Sequence, residues 1–193
     1  MARLKRDLEA SGYGHSATWT LDNLPDSGGA WTVDEKSVVA NSHVVLEEFS
    51  FKATMHDDVR TIATWLTQNT LPQTDDYKFF REKLQTSLVI LPETDFRDFT
   101  QFATEIVTRI RIDQEKRTVA EGALWTEEHL PSDTVLYAPL HASRPRTTNG
   151  PPSWKNADDV LKFVRDLKID RIQLGGDETL GRGIVKLHIS EET

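Results

Sequence analysis

The chain has 193 residues, no cysteine and a formal net charge of −8. This length predicts one domain or slightly more, with enough residues to bury a core. The composition excludes a disulfide framework and thiolate metal ligands, and the acidic balance argues against non-specific nucleic-acid binding, which needs an electropositive face. No apolar run reaches membrane-spanning length, and residues 1–7 lack the apolar core of a signal peptide, so we expect a cytoplasmic protein with no membrane partner.

The first half of the chain mixes predicted helices with short predicted strands. Apolar residues after Asp57 recur at helical spacing, which is typical of one buried helix face. In a later helix, Phe96, Phe99 and Phe102 are expected to point inward. The predicted elements are a helix over residues 2–10 ended by Gly12, a surface loop over 13–37, a strand over 38–54, helices from 57 and over 75–85, a strand over 87–91 and a helix over 94–103.

The second half predicts further strands, a linker and a last helix. Residues 105–113 alternate apolar and polar side chains, as a strand with two different faces does. Asn156 is a typical N-cap for the last helix. The predicted elements are strands over 105–113, 118–126 and 134–140, a linker over 143–155, and a helix from 156 that leads into the final strands. Helices and strands follow one another without regular βαβ alternation, which predicts the α+β class.

Residues 172–187 read as a strand, a glycine-rich turn and a second strand. Gly175, Gly176, Gly181 and Gly183 provide a backbone that can adopt positive φ, which we expect at Gly176 and Gly181, and that can approach another molecule closely. Such loops present N–H groups to phosphates, and Arg182 adds a positive charge. The pattern is neither a P-loop nor a dinucleotide fingerprint, because a strand follows where those motifs need a helix. The alternative is a hairpin with an irregular glycine turn and no ligand.

Arg109 and Arg111 are two residues apart on the strand over 105–113, so we expect them to share one face. Strand rise separates them by roughly 7 Å, which is similar to the spacing of successive phosphates in a single strand. They are therefore candidate RNA-backbone contacts. The alternative is an exposed strand face with solvated charge.

Glu127 and Glu128 precede His129, and a carboxylate beside an imidazole can perform acid–base chemistry. The alternative is plain surface charge at a strand end. The six histidines show no metal-ligand spacing, and we assign no metal site. No nucleophile-elbow motif is present either, which argues against an acyl-transfer enzyme.

Three segments, residues 105–113, 122–131 and 173–183, together resemble the backbone subunits of type III-B CRISPR (Cmr) effector complexes, a branch of the RAMP superfamily. The glycine-rich stretch alone indicates only a RAMP protein. The Trp-Thr-Glu-Glu-x-Leu-Pro element and the Thr-Arg-Ile-Arg-Ile-Asp strand narrow the resemblance to that branch, and it covers most of the chain from Arg3 onward.

The resemblance implies an architecture. Residues 1–193 would form a single RAMP domain with a modified RRM-like, ferredoxin-like core. Residues 105–143 would be an inserted β-hairpin "thumb" that reaches the neighbouring subunit, and residues 172–187 would be the C-terminal glycine-rich hairpin on the RNA-binding side. Family members open with a strand and two functional loops before a helix like that of residues 3–8, so the chain is expected to lack its N-terminal part.

The resemblance also implies a function. The protein would hold guide RNA, stack with further copies of itself and other subunits as a filament, and, when complete, cleave target RNA with a divalent metal such as Mg²⁺. The principal catalytic aspartate would lie in the missing part, which leaves Glu127 and Glu128 as auxiliary candidates and no identifiable metal ligand in this chain. The alternatives are a guide-processing RAMP endoribonuclease and a structural assembly subunit without catalysis.

Overall fold

The structure of the protein is a computed structural model that describes residues 2–14, 17–20, 23–146, 151 and 153–189. The chain divides into two compact units. We call residues 19–64 and 83–136 the central unit, and residues 1–18, 65–82 and 137–193 the terminal unit.

The fold mixes five α-helices with eight strands over the part of the chain that the structure describes, which confirms the α+β class. The helices are α1 (Ala2–Ala10), α2 (Asp57–Asn69), α3 (Lys78–Ser87), α4 (Glu93–Phe102) and α5 (Ala157–Asp166). The strands are β1 (Gly29–Thr32), β2 (His43–Leu46), β3 (Phe49–Met55), β4 (Val89–Ile90), β5 (Glu105–Ile112), β6 (Val119–His129), β7 (Arg171–Gln173) and β8 (Ile184–Lys186). Among the described residues, no helix combines the length and the apolar character needed to cross a membrane.

The central unit is built on a four-stranded sheet in the order β2-β3-β1-β4. β1 pairs parallel with β3, whereas β2 pairs with β3, and β4 with β1, antiparallel. Ala30, Val44 and Phe51 form the buried centre of its core. The expectation of one surface loop over residues 13–37 is therefore wrong. A four-residue strand is too short to show periodicity, and its pairing with β3 fixes it in the sheet.

The predicted strand over residues 38–54 is two strands, β2 and β3, which form a hairpin with Leu46 opposite Phe49. The chain reverses at Glu47, which has a left-handed backbone (φ 54°). The helix predicted from Asp57 is confirmed as α2. Its apolar spacing buries Val59 and Ile62 completely, as the helical period requires.

The prediction that three phenylalanines of α4 point inward is wrong for two of them. Phe99 contacts the rings of Phe49 and Phe51, with ring centroids 5.7 and 6.1 Å away, but Phe96 and Phe102 are mostly exposed. Three residues of helix turn through about 300°, so residues spaced by three drift by about 60° per step. Phe96 and Phe102 therefore do not lie on the helix face from which Phe99 packs against the core.

β5 and β6 form a long antiparallel hairpin over residues 105–129, which we call the long hairpin. β6 extends three residues beyond the predicted end at residue 126. The strand predicted over residues 134–140 is absent, because this segment pairs with no strand among the residues described, and it is exposed throughout. A β-type sequence needs an available strand edge, and the hydrophobic pattern alone does not supply one.

The terminal unit confirms two predicted helix ends. α1 ends in a Schellman motif: Gly12 has φ 85°, the N–H of Tyr13 bonds to Leu8 O, and that of Gly12 to Glu9 O. α5 begins with the capping box of Asn156 and Asp159. β7 and β8 pair antiparallel and flank the glycine-rich loop, which we define as residues 175–183.

Candidate functional site

The register of the long hairpin brings separated residues onto one face. Arg109 lies opposite Trp125, and Glu127 is opposite Val107, two positions further along the ladder. Alternate residues of a strand share a face. We call this side the charged face, and its members are Glu105, Val107, Arg109, Trp125, Glu127 and His129.

The carboxylate of Glu127 is at the centre of the charged face. Its Oε1 accepts a hydrogen bond of 2.9 Å from the indole Nε1 of Trp125. Its Oε2 lies 3.0 Å from the guanidinium Nε of Arg109 and 3.5 Å from His129 Nε2. The Glu127 side chain is only 19% exposed, and that of Arg109 33%. This ion pair is partly shielded from water, where a charge-assisted contact is stronger than on an open surface.

Arg109 and Arg111 do not form the matched pair that strand spacing predicts. Arg109 is engaged with Glu127, whereas Arg111 is exposed and forms no ion pair with the residues that the structure describes. The ladder also shifts register between Ile110 and Ile112. A role for both arginines in RNA binding stays a prediction, but Arg111 is the one whose guanidinium is available to a phosphate.

Glu127 and Glu128 lie on opposite faces of the long hairpin, since they are consecutive residues of one strand. Glu128 accepts a hydrogen bond of 2.6 Å from Thr104 Oγ1. The two carboxylates therefore cannot act together on one reacting group. Glu127 is the candidate that neighbours a histidine on its own face.

The glycine-rich loop contains glycines with different constraints. Gly175, Gly181 and Gly183 have positive φ, whereas Gly176 does not, so the expectation of positive φ at Gly176 is wrong. A side chain at Gly175, Gly176 or Gly181 would meet no atom within 4 Å. A Cβ at Gly183 would lie 2.0 Å from the carbonyl oxygen of Leu174. Three glycines thus leave the backbone accessible, and Gly183 permits close packing within the hairpin.

Much of the polar backbone of this loop is satisfied internally. The N–H groups of Leu180 and Arg182 both donate to Asp177 O. The side-chain amide of Gln173 donates to the carbonyls of Gly175 and Gly176, at 3.1 and 3.4 Å. The N–H groups of Leu180 and Arg182 are therefore not available together to an anion. Phosphate binding by the loop stays a prediction, and it now concerns the first residues of the loop.

Sequence reasoning missed two residues, one in the long hairpin and one beside the glycine-rich loop, that contact candidate residues of their own unit. Trp125 supplies a donor to Glu127, and Gln173 holds the glycine-rich loop. The signal for Trp125 was present, because a residue two positions before Glu127 on a strand must share its face. Gln173 gave no such signal, since its contacts depend on the loop conformation.

Comparisons with known proteins agree with the family resemblance. Residues 22–186 match the model of the RAMP superfamily. The CRISPR system Cmr endoribonuclease Cmr4 of Pyrococcus furiosus is 32% identical over 199 residues, which cover 99% of this chain and 60% of the relative. The chain thus spans about 60% of the length of that curated protein.

Two solved structures share the fold. The crystal structure of oligomeric Cmr4 from Pyrococcus furiosus superposes with a TM-score of 0.57 at 22% identity, covering 96% of this chain and 60% of that one. A chain in the cryo-EM structure of the type III-B Cmr-beta complex bound to cognate target RNA superposes with a TM-score of 0.50 at 19% identity, covering 96% of this chain and 50% of that one. These likenesses confirm the RAMP type of fold.

Proposed function

Because this chain belongs to the RAMP superfamily, we propose that it is an RNA-binding backbone subunit of an RNA-guided type III-B CRISPR effector. In this role it holds guide RNA and, in the assembled complex, cleaves target RNA. The observation that carries the proposal is the 32% identity to the Cmr endoribonuclease across 99% of this chain. Cleavage of target RNA is proposed by analogy with that relative, of which the match covers 60%.

The proposed partners are guide RNA, target RNA and further protein subunits. A chain of the same fold occurs in a Cmr complex bound to cognate target RNA. In this protein the long hairpin offers the exposed Arg111, and the glycine-rich loop offers open backbone at Gly175 and Gly176. Positive side chains and accessible N–H groups are the chemistry that binds a phosphate backbone. A net charge of −8 confines such binding to local surfaces.

The proposed reaction is attack of a ribose 2′-hydroxyl on the adjacent phosphorus. The bond from phosphorus to the 5′-oxygen breaks, which leaves a 2′,3′-cyclic phosphate and a 5′-hydroxyl. One proton must leave the 2′-hydroxyl, and one must reach the departing 5′-oxygen. Glu127 is the residue of the charged face that we propose assists as a proton acceptor or by orienting one.

A divalent cation such as Mg²⁺ is part of this proposal, and it would supply positive charge beside the reacting phosphate. Mg²⁺ prefers oxygen ligands, and the carboxylate of Glu127 suits it. Glu128 points to the opposite face of the hairpin, so the two side chains would not hold one ion together.

A structural assembly subunit without catalysis is the second candidate. The face of the long hairpin opposite Glu127 exposes apolar side chains, with Ile106 and Leu124 each 67% exposed. Exposed apolar surface of this kind is typical of protein contacts, and a structure of the same fold is an oligomer of Cmr4. Cleavage of a guide-matched RNA by the assembled complex separates the two candidates.

The RNA-binding part of the proposal is tested by Arg111→Glu in the complex assembled on guide RNA. Charge reversal replaces attraction to a phosphate with repulsion, so affinity should fall about tenfold and the slope of log affinity against log salt should decrease by about one unit. Filter binding at several salt concentrations measures both quantities.

Arg97→Glu is the matched control, because Arg97 is an exposed arginine of the same unit that pairs with the adjacent Asp98. The control should bind as the unaltered complex does. Equal affinity and salt dependence for Arg111→Glu and Arg97→Glu would contradict the assignment of the long hairpin to RNA.

A further inference from the structure

We propose that Arg109 and Trp125 are positioning residues that hold the carboxylate of Glu127 in a single orientation on the charged face. The inference rests on the proposed function, since it concerns the residue assigned there to proton transfer. Arg109 would then bind the Glu127 carboxylate, whereas strand spacing alone predicted that Arg109 contacts an RNA phosphate.

The two donors bind different oxygens of the same carboxylate. Trp125 Nε1 donates to Oε1 at 2.9 Å, and Arg109 Nε lies 3.0 Å from Oε2. Indole and guanidinium N–H groups are donors only, so each of these contacts needs an acceptor. The terminal torsion of glutamate is broad when nothing constrains it. Contacts to both oxygens define the plane of the carboxylate.

The long hairpin itself explains why both donors reach Glu127. Arg109 and Trp125 are directly opposite each other, and Glu127 follows two residues later on the same face. Diagonal neighbours on an antiparallel pair are about 7–8 Å apart, within reach of long side chains. The arrangement therefore depends on the register of β5 and β6 and on the lengths of these two side chains.

A purely stabilising role accounts less well for these contacts. Arg109 is 33% exposed at its side chain, and Trp125 is 45% exposed as a residue. An ion pair that is only partly shielded from water contributes modestly to folding free energy. The main consequence of the two contacts is the orientation of a charged acceptor, which matters to a reaction more than to folding.

The test uses Trp125→Phe and Arg109→Gln in the assembled complex, with single-turnover cleavage of a guide-matched RNA measured beside target binding. Removing groups that orient a reactive side chain typically costs 10–100-fold in activity. We expect each variant to cleave about 10–100-fold more slowly while target affinity changes by less than about twofold. Arg109→Lys should recover part of the rate, because lysine retains a cationic donor. Arg97→Gln, which changes an exposed arginine of the same unit, should cleave as the unaltered complex does.

A second measurement is independent of catalysis. In the ¹⁵N-labelled full chain, the indole N–H signal of Trp125, assigned by its loss in Trp125→Phe, should shift in Glu127→Ala. The signals of the other four of the five tryptophans should stay in place. An unmoved Trp125 signal would show that the contact is absent and would overturn the inference.

The outcomes distinguish this inference from the proposed function. If the unaltered complex binds target RNA but never cleaves it, the proposed catalytic function fails and the positioning role fails with it. If the unaltered complex cleaves, Glu127→Gln is slow, and Trp125→Phe and Arg109→Gln retain full rates, only the positioning role is overturned. Slow cleavage with weakened target binding would instead identify Arg109 as an RNA contact.

Discussion

At the scale of single residues, Gly183 and Gly176 show that two glycines of one loop can have different structural constraints. Gly183 has φ 70°, and an added Cβ would lie 2.0 Å from Leu174 O. The same two residues are joined by a hydrogen bond of 2.9 Å from Leu174 N to Gly183 O. Gly176 has open space around it and an ordinary φ. Of these two glycines, Gly183 is therefore the one that the fold of the hairpin requires.

Gly183→Ala should lower the free energy of unfolding by about 1–3 kcal/mol, because the new methyl group meets a backbone carbonyl at a left-handed position. Gly176→Ala is the matched control. It should be neutral or slightly stabilising, since alanine restricts the unfolded chain. Urea-induced unfolding of the full chain measures both. Equal stabilities for the two variants would contradict the close packing at Gly183.

At the scale of elements, α4 shows how one helix face is selected. Phe99 packs on the rings of Phe49 and Phe51 beside the core of the central unit. Phe102 lies on the same helix but is 78% exposed. The sequence spacing predicts the same burial for both residues. The orientation of α4 on the sheet decides that Phe99 is packed and Phe102 is exposed.

Phe99→Ala should therefore destabilise the protein by about 2–3 kcal/mol, below the 3–5 kcal/mol of a fully buried phenylalanine because Phe99 is only half-buried. Phe102→Ala should stay within about 0.5 kcal/mol of the unaltered chain, as exposed substitutions do. Thermal unfolding followed by circular dichroism compares the two. A larger loss at position 102 than at 99 would contradict the packing of α4.

At the scale of the whole molecule, the terminal unit joins parts of the chain that are far apart in sequence. Tyr137 donates a hydrogen bond of 3.1 Å to Asp7 across 130 residues. A hydrogen bond from Arg6, followed by that from Tyr137, lowers the pKa of Asp7 from its ordinary value of 3.8. Partial desolvation, followed by the Asp7 carboxylate, raises the pKa of Tyr137. The ionised form of Asp7 is thus the form that the folded unit favours.

This contact predicts a pH dependence. A carboxylate with a lowered pKa in the folded state stabilises it fully above the unfolded value, here 3.8, and this contribution is lost as pH falls through the lowered pKa. Asp7→Asn should thus be less stable than the unaltered chain at neutral pH, and the difference should shrink in acid. Urea unfolding at about pH 7 and about pH 2.5 measures the difference.

Asp98→Asn is the control for that experiment, because Asp98 is exposed and pairs only with its neighbour Arg97 among the described residues. Its effect on stability at neutral pH should be smaller than that of Asp7→Asn. A stability difference for Asp7→Asn that stays constant from neutral to acid pH would show that the charge of Asp7 does not contribute.

The sequence by itself determined the features that depend on neighbours along the chain. The apolar spacing after Asp57 predicted α2, Asn156 predicted the start of α5, and Gly12 predicted the end of α1. Helix faces and caps depend on residues within one or two turns. The family resemblance was also available from sequence, because three short segments carry it, and the match over residues 22–186 confirms it.

The tertiary structure decided what depends on pairing between distant residues. It placed β1 inside the sheet although its four residues read as loop, and it left residues 134–140 unpaired although they read as strand. It also gave Arg109 and Arg111 different environments, because the register of the long hairpin places Glu127 and Trp125 beside Arg109. Strand pairing and register are set by the partner strand, so neither the sheet membership of a short segment nor the ion pair across a hairpin can be read from one segment alone.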